Sequence, residues 1–222
     1  MDKKFKFAIF SLMLMMVSPV MSQATSDYLK PYDYRRSGSF DNIVCWGEKV
    51  EPSFAESYEI KCIYDRPSGK FRVELMVENQ QKPHVVDMDE DMAYMIKTLV
   101  DVAVYSASNL PHKEWMQSKL DNLKSGGGAM VSSVGLDGET YRFYNRSYGA
   151  YCWSPRDGNN RALVSIGQAI YDAVGHKDMG IIRSRLDDIK GLTAKYASLL
   201  QEPYREYYLL RIDKKPENWW LD

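Results

Sequence analysis

The amino-acid sequence predicts an α+β fold, in which an antiparallel sheet from two hairpins at about 58–77 and 131–144 is packed on one face by about four helices. Two features of the sequence indicate this class. Apolar and polar residues alternate in segments that flank turn residues, which is the pattern of strands with one buried face. Other segments repeat apolar residues at steps of three and four, and amphipathic helices of this kind supply the cover that a half-buried sheet needs.

The first 24 residues have the composition of a secretory signal peptide. Three lysines within the first six residues precede the apolar run 7–17, and the small residues Ser22 and Ala24 follow it. The apolar run is shorter than the ~20 residues that cross a bilayer as a helix. We therefore predict export to the periplasm or the extracellular space, with cleavage after Ser22 or Ala24 and no membrane span in the mature chain. An uncleaved signal anchor is the alternative.

Residues 25–222 are predicted to form a single α+β domain. Their length lies within the ~100–200 residues of an ordinary domain, and neither a repeat nor a low-complexity linker divides them. The whole chain has 29 basic and 30 acidic residues, and loss of 1–24 removes three lysines and one aspartate, which leaves a formal charge of −3. A mildly acidic chain without a basic block is not typical of nucleic-acid-binding proteins, so we expect no nucleic acid as a partner.

The chain has three cysteines, Cys45, Cys62 and Cys152. An exported protein can form disulfides, and an odd number leaves at least one thiol without a partner in the same chain. We predict a disulfide between Cys45 and Cys62, because Cys62 lies on the apolar face of the first hairpin strand and Cys45 lies in the apolar run just before it. Three buried free thiols are the alternative, since an unpaired cysteine behaves as a small apolar residue.

The first part of the domain is predicted to contain an irregular arm at 25–40, a short strand at 43–46 and a turn at 47–52. The first hairpin follows at 58–77. The helix after it is predicted to run from the acidic segment 87–91 to about residue 107, with Asp87 as its N-terminal cap and Glu90 completing a capping box.

The second part contains several further predicted elements. The dipeptide Asp137-Gly138 is a signal for a tight turn between two strands, and apolar residues in 178–201 form a short heptad-like seam. This seam indicates a helix that covers the sheet, with a homodimer contact as the alternative. In chain order, we predict a helix at 112–124, strands at 131–136, 139–144 and 148–153, helices at 162–174 and 178–201, a strand at 207–212 and a tail at 216–222.

The strongest catalytic candidate is Cys152. Its segment, Gly149–Trp153, resembles the Gly-Ser-Cys-Trp nucleophile of papain-like proteases, but Tyr151 replaces the small residue before the cysteine. The only downstream histidine, His176, is much closer in sequence than in that family. A thiol hydrolase with Cys152 as nucleophile and His176 as base is the alternative function, because the two residues need to meet only in space.

Other chemistries lack a motif in this chain. His84, His112 and His176 are far apart, and neither a zinc-binding spacing nor a serine-hydrolase motif is present. We therefore predict no metal, no cofactor and no catalytic residue.

The composition is unusual in its 16 tyrosines and five tryptophans. These side chains combine a large contact area with a polar atom and are enriched in recognition surfaces. With the signal peptide, they predict an exported, non-catalytic module that binds a protein or a glycan of the cell envelope. Trp219 and Trp220 in the tail are expected to dock back on the sheet, or else to contact a partner.

Overall fold

The structure is a computed structural model that describes residues 26–32, 41–109 and 138–221. Seven strands in these ranges form one antiparallel sheet, and five helices cover it, of which the two longest contact the strands directly and the others pack on these helices or on each other. The predicted α+β class is confirmed. The strands are β1 Ser26–Tyr32, β2 Asn42–Pro52, β3 Tyr58–Asp65, β4 Lys70–Val77, β5 His84–Met88, β6 Glu139–Asn145 and β7 Gly149–Trp153. The helices are α1 Glu90–Asn109, α2 Gly158–His176, α3 Gly180–Arg183, α4 Leu186–Ser198 and α5 Tyr204–Asp213, and a 3-10 turn covers Trp219–Leu221.

The sheet has the strand order β1-β7-β6-β2-β3-β4-β5. The first hairpin, β3 and β4, has the bounds that the alternation predicts, with Tyr58 paired to Val77 and Asp65 to Lys70. Its apolar face belongs to the core under the helices. The buried side chains on this face are Ile60, Cys62, Phe71, Val73 and Leu75.

The second hairpin was predicted at 131–144. Its first strand, 131–136, lies outside the described residues, and its second strand is β6. Strand β6 pairs with β2 along one edge and with β7 along the other. The turn that leads out of β6 therefore joins it to β7, which brings Asn145 and Tyr148 to one end of the sheet.

Strand β2 is longer than predicted and includes the segment that was predicted as a turn. A bulge between Val44 and Trp46 interrupts the alternation, so that Cys45 and Trp46 are both buried. Gly47 lies beneath the ring of Tyr144 on the neighbouring strand, where a Cβ would overlap the ring. Gly47 lies in the segment predicted as a turn, but it is required for close packing within a strand.

The prediction of an irregular arm at 25–40 is wrong for its first part, which forms β1. This strand pairs antiparallel with β7 at the edge of the sheet, with Tyr32 opposite Gly149. Pro31 lacks a backbone N–H, and an edge strand tolerates this because one side of its backbone needs no partner. The strand β1 was not predicted because its partner strand, β7, is distant in the sequence.

The N-terminal cap of helix α1 lies two residues later than predicted. Asp87 belongs to β5, and Asp89 is the cap, because its Oδ1 accepts hydrogen bonds from the N–H groups of Asp91 at 3.1 Å and Met92 at 3.3 Å. The acidic segment contains several residues that can cap a helix. Because β5 extends to Met88, Asp89 is the residue in position to cap α1.

The segment 178–201, predicted as one helix, forms two helices, α3 and α4. The seam residues Ile182, Ile189, Thr193, Tyr196 and Leu200 are buried, and α4 packs on α1. The seam is therefore part of the core of this chain, and it is not available for the homodimer contact that was its alternative.

The strand predicted at 207–212 is wrong, because this segment lies in helix α5. The run from Tyr207 to Leu210 is apolar throughout, and such a short run does not distinguish a buried strand from a helix. The buried residues of α5, Tyr208 and Arg211, are three positions apart and face the protein.

The tail docks back on the sheet. Trp219 is fully buried and stacks on Phe71 of β4, with ring centroids 4.9 Å apart and an angle of 14°. Trp220 packs beside it against Tyr64 at 4.6 Å. The two tryptophans thus close one end of the core.

Besides the strand at 131–136, the signal peptide predicted at 1–24 and the helix predicted at 112–124 lie outside the described residues. Across 26–32, 41–109 and 138–221, none of the helices combines the length and the apolarity that crossing a bilayer requires.

Candidate functional site

Helix α5 exposes three large side chains along one of its sides. Tyr204, Tyr207 and Leu210 follow at steps of three, and they are 49%, 47% and 49% exposed. Tyr105 of α1 lies beside Tyr204, and Tyr148, which precedes β7, lies near Tyr105. We call these five residues the tyrosine surface.

Aromatic contacts attach the tyrosine surface to the body of the protein. The ring of Tyr105 lies 4.9 Å from that of Tyr204 and 5.8 Å from that of the buried Tyr208. Tyr207 meets Tyr208 edge-to-face at 5.2 Å. The pKa of Tyr105 is raised to about 12, mainly by burial and secondly by the hydrogen bond to Tyr204. The hydroxyl of Tyr105 is therefore protonated at physiological pH.

A group of charged and polar side chains lies beneath this surface, between α1, α5 and the end of β6. We call it the ion cluster, and it consists of Lys97, Asp101, Asn145 and Arg211. Asp101 Oδ2 accepts from Lys97 Nζ at 2.7 Å and lies 3.3 Å from Arg211 Nη1, while Oδ1 accepts from Asn145 Nδ2 at 3.0 Å. Lys97 is 1% exposed, and Asp101 and Arg211 are 4% exposed. The two cations, Lys97 and Arg211, therefore share the Asp101 carboxylate at a site that is almost closed to solvent.

Arg211 is held by aromatic rings as well as by charge. Its guanidinium lies 5.5 Å from the ring centre of Tyr94 and 5.6 Å from that of Tyr207. Burial alone would lower the pKa of Arg211, but Asp101 raises it, so the group stays charged. Nε and Nη2 have no hydrogen-bond partner in the structure. The Tyr207 ring thus covers Arg211 on one side while it remains half exposed on the other.

Further hydrogen bonds fix the end of α5 and the tail. The Tyr94 hydroxyl lies 2.7 Å from the carbonyl of Arg211 and 3.0 Å from that of Lys214. Arg146 Nη1 donates to the carbonyl of Leu221 at 2.7 Å. Because the Tyr94 hydroxyl bonds carbonyls at the end of α5, the backbone that carries Tyr204 and Tyr207 is tied to α1.

The side chains of the tyrosine surface have the properties of a contact surface. Large aromatic side chains with few rotatable bonds provide contact area at a low cost in conformational entropy. The number of tyrosines in the sequence predicts a recognition surface, but its position was missed because 207–212 was predicted as a strand. The spacing of Tyr204, Tyr207 and Leu210 was the signal that indicates a common side of a helix.

The structure places Cys152 and His176 apart. Cys152 is fully buried, and burial raises its pKa to about 12. It lies near Tyr196, whose hydroxyl bonds Asn160 in the first turn of α2 at 2.6 Å. His176 ends that helix, 16 residues and thus ~24 Å further along its axis, and its Nδ1 contacts the carbonyl of Asp172 at 2.8 Å. A protonated, enclosed thiol without an imidazole beside it is not an activated nucleophile.

The predicted disulfide between Cys45 and Cys62 is absent, because all three cysteines are free and buried. The two residues lie on the neighbouring strands β2 and β3, and their thiols interact with each other. Burial is the main cause that raises the pKa of Cys62, and the contact with Cys45 raises it further. The sequence correctly suggested that the two are neighbours, but the β2 bulge makes them packing residues of the core.

A buried carboxyl that the sequence did not indicate lies on β2. Glu48 is 3% exposed and packs on Gly167 of α2, where a Cβ would overlap the carboxyl. Its Oε1 has no hydrogen-bond partner in the structure. Burial raises the pKa of Glu48 to about 8, so the group is mostly protonated at neutral pH.

Within the described ranges, no group of three or more histidine, cysteine, aspartate or glutamate side chains is arranged to hold a metal ion. Comparison with known protein families, with curated proteins and with solved structures finds no match to this chain.

Proposed function

We propose that this protein is an exported, non-catalytic module that binds a protein or a glycan of the cell envelope through the tyrosine surface. The observation that supports this proposal is the row of half-exposed Tyr204, Tyr207 and Leu210 on α5, whose end is held by the Tyr94 hydroxyl, with half-exposed Tyr148 close to Tyr105. Recognition surfaces are enriched in such rigid aromatic side chains. The lysine-rich and apolar start of the chain supports export.

The surface offers two kinds of contact at the same place. Phenol rings pack on the apolar faces of sugars or of protein side chains, and their hydroxyls donate and accept hydrogen bonds. Leu210 adds an apolar contact of the kind found at the centre of protein interfaces. The thiol hydrolase alternative receives no support, since Cys152 is enclosed and protonated and His176 lies at the far end of α2.

The test measures binding of the purified exported protein to isolated cell envelopes of its own host. We expect saturable co-sedimentation that falls at least tenfold in the double variant Tyr204→Ala/Tyr207→Ala. The matched control is Phe54→Ala, because Phe54 is 80% exposed and is not part of the tyrosine surface. Equal binding by wild type and the tyrosine variant would refute this role of the surface.

Treatment of the envelopes distinguishes the two classes of partner. Digestion with a protease before the measurement abolishes binding if the partner is a protein and leaves it unchanged if the partner is a glycan. Envelopes that fail to bind wild type before any treatment would contradict the proposal as a whole.

A further inference from the structure

A cleft of about 210 Å³ opens beside β5, away from the residues of the tyrosine surface. Its apolar lining comes from Met88 of β5, Met92 of α1, and Met179 and Ile182 at α3. Met88, Met92 and Ile182 are buried, so they form a fixed floor. Methionine side chains adapt to the shape of an inserted group, which makes such a floor suitable for varied apolar partners.

The size of the cleft limits what it can hold. Small-molecule sites usually have volumes of about 300–1,000 Å³, and this cleft is smaller. It is large enough for one apolar side chain. An occupant that fills it must therefore gain the rest of its contacts outside the cleft.

The neighbouring backbone can supply such contacts. Strand β5 is the last strand of the sheet and pairs only with β4 among the described strands. Asp87 and Met88 both line the cleft, together with Asp89 and Met92. The cleft therefore lies beside the C-terminal end of β5, whose second edge has no partner strand among the described residues. An exposed edge presents unpaired N–H and C=O groups to an incoming strand.

Charge at the cleft favours a basic occupant. Asp87 and Asp89 lie on its rim, and Arg183 is the only cation among its lining residues. Arg183 Nη2 is 3.9 Å from Asp89 Oδ2, at the limit of an ion pair, and both groups are half exposed or more. Asp87 is exposed, and Arg72 lies opposite it on β4. The lining itself holds two carboxylates and one guanidinium, so it keeps a formal charge of −1.

We propose that this edge binds an extended, basic peptide segment of a partner protein, which adds a strand to β5 and inserts one apolar side chain into the cleft. Backbone hydrogen bonds supply affinity in this mode of binding, and the side-chain pocket supplies selectivity. Alternate residues of the added strand face Asp87 on one side of the sheet and the methionine floor on the other. This proposal is independent of the partner of the tyrosine surface.

The probe is the fluorescent peptide acetyl-Lys-Val-Lys-Leu-Lys-Val-Lys-amide, and the readout is fluorescence anisotropy with the full exported chain. Its lysines and its apolar residues occupy opposite sides of an extended strand. We expect saturable binding, at least tenfold weaker for the peptide with glutamate in place of every lysine. Protection of β5 amides from hydrogen exchange upon binding would identify strand addition.

Two variants test the cleft itself. Met179→Asn places a polar group at the apolar lining, and we expect binding to weaken about tenfold. Asp87→Asn removes one rim charge, and we expect a loss of about threefold at low salt that disappears at high salt. The matched control is Asp187→Asn, which makes the same change at an exposed position of α4 and leaves binding unaltered.

Three outcomes would overturn the proposal. They are equal binding of the basic and acidic peptides, equal binding by the control and both cleft variants, and absence of binding by wild type. A concentration-dependent dimer in sedimentation, abolished by Met179→Asn, would instead assign this edge to a second copy of the chain. Circular dichroism of each variant establishes that it is folded, and Asp87→Asn keeps the test valid if Met179→Asn does not fold.

Discussion

At the scale of single residues, the carboxyl of Glu48 couples the stability of the core to pH. Its pKa is raised by burial from an ordinary value of 4.5 to about 8. Between these values the folded state retains a proton that the unfolded state releases. The free energy of unfolding therefore decreases as pH rises through this window, by about 1.4 kcal/mol per pH unit where Glu48 alone titrates.

The variant Glu48→Gln cannot ionise, so we expect it to lose this component of the pH dependence. Urea unfolding between about pH 5 and pH 8 should show wild type losing stability relative to the variant as pH rises. The exposed Glu217→Gln serves as a control that leaves the slope unchanged. Parallel pH profiles for wild type and Glu48→Gln would contradict a buried, protonated Glu48.

The three thiols give a second prediction at this scale. Cys45, Cys62 and Cys152 are all fully buried, and burial raises the pKa of both Cys62 and Cys152. We expect none of them to react with iodoacetamide in the native protein and all three to react after denaturation. Mass spectrometry of intact protein counts the modifications. Rapid native labelling of Cys152 would revive the hydrolase alternative, and a missing pair after denaturation would reveal a disulfide.

At the scale of elements, helix α5 depends on the ion cluster. Removing Asp101 leaves Lys97 and Arg211 as two buried cations without a counterion, and breaking a buried pair in this way costs about 3–5 kcal/mol. We expect Asp101→Asn to lose stability of this order in urea unfolding. The exposed Asp213→Asn on α5 is the matched control, with a change of less than about 0.5 kcal/mol.

Arg211→Met should be the milder change at the same site. It leaves Lys97 paired with Asp101, and methionine preserves much of the apolar contact with Tyr94 and Tyr207. Equal losses for Asp101→Asn and Arg211→Met would show that packing, and not charge, holds α5 to α1.

How far the sequence predicts these elements depends on how regular their patterns are. The prediction of the β3–β4 hairpin is confirmed because apolar and polar residues alternate on both sides of a turn, with Ile63 and Met76 as the only exceptions. Strand β2 was cut short because the bulge at Cys45 and the glycine at 47 break the pattern, and their reasons lie on neighbouring strands. The tyrosine surface was not predicted because it combines α1, α5 and the β6–β7 turn, which only the folded chain brings together.

At the scale of the whole molecule, the tail closes the core over β4 and α1. Trp219 is fully buried, stacks on Phe71 and meets Tyr94 edge-to-face at 5.3 Å. We expect Trp219→Ala to lower the free energy of unfolding by about 3–5 kcal/mol, as for other large-to-small changes in a core. Leu221→Ala, at a neighbouring position that is 45% exposed, should change it little. Similar stabilities in guanidinium unfolding would mean that the tail does not dock in solution.

The central claim is that the tyrosine surface meets the partner in the cell envelope. The most direct measurement replaces Tyr207 with a photo-crosslinking phenylalanine analogue in intact host cells, and does the same at Phe54 for comparison. Irradiation should link position 207 to one discrete envelope component, and position 54 to none. The proposal is contradicted if both positions give the same products, or if position 207 gives none while the protein is folded and exported.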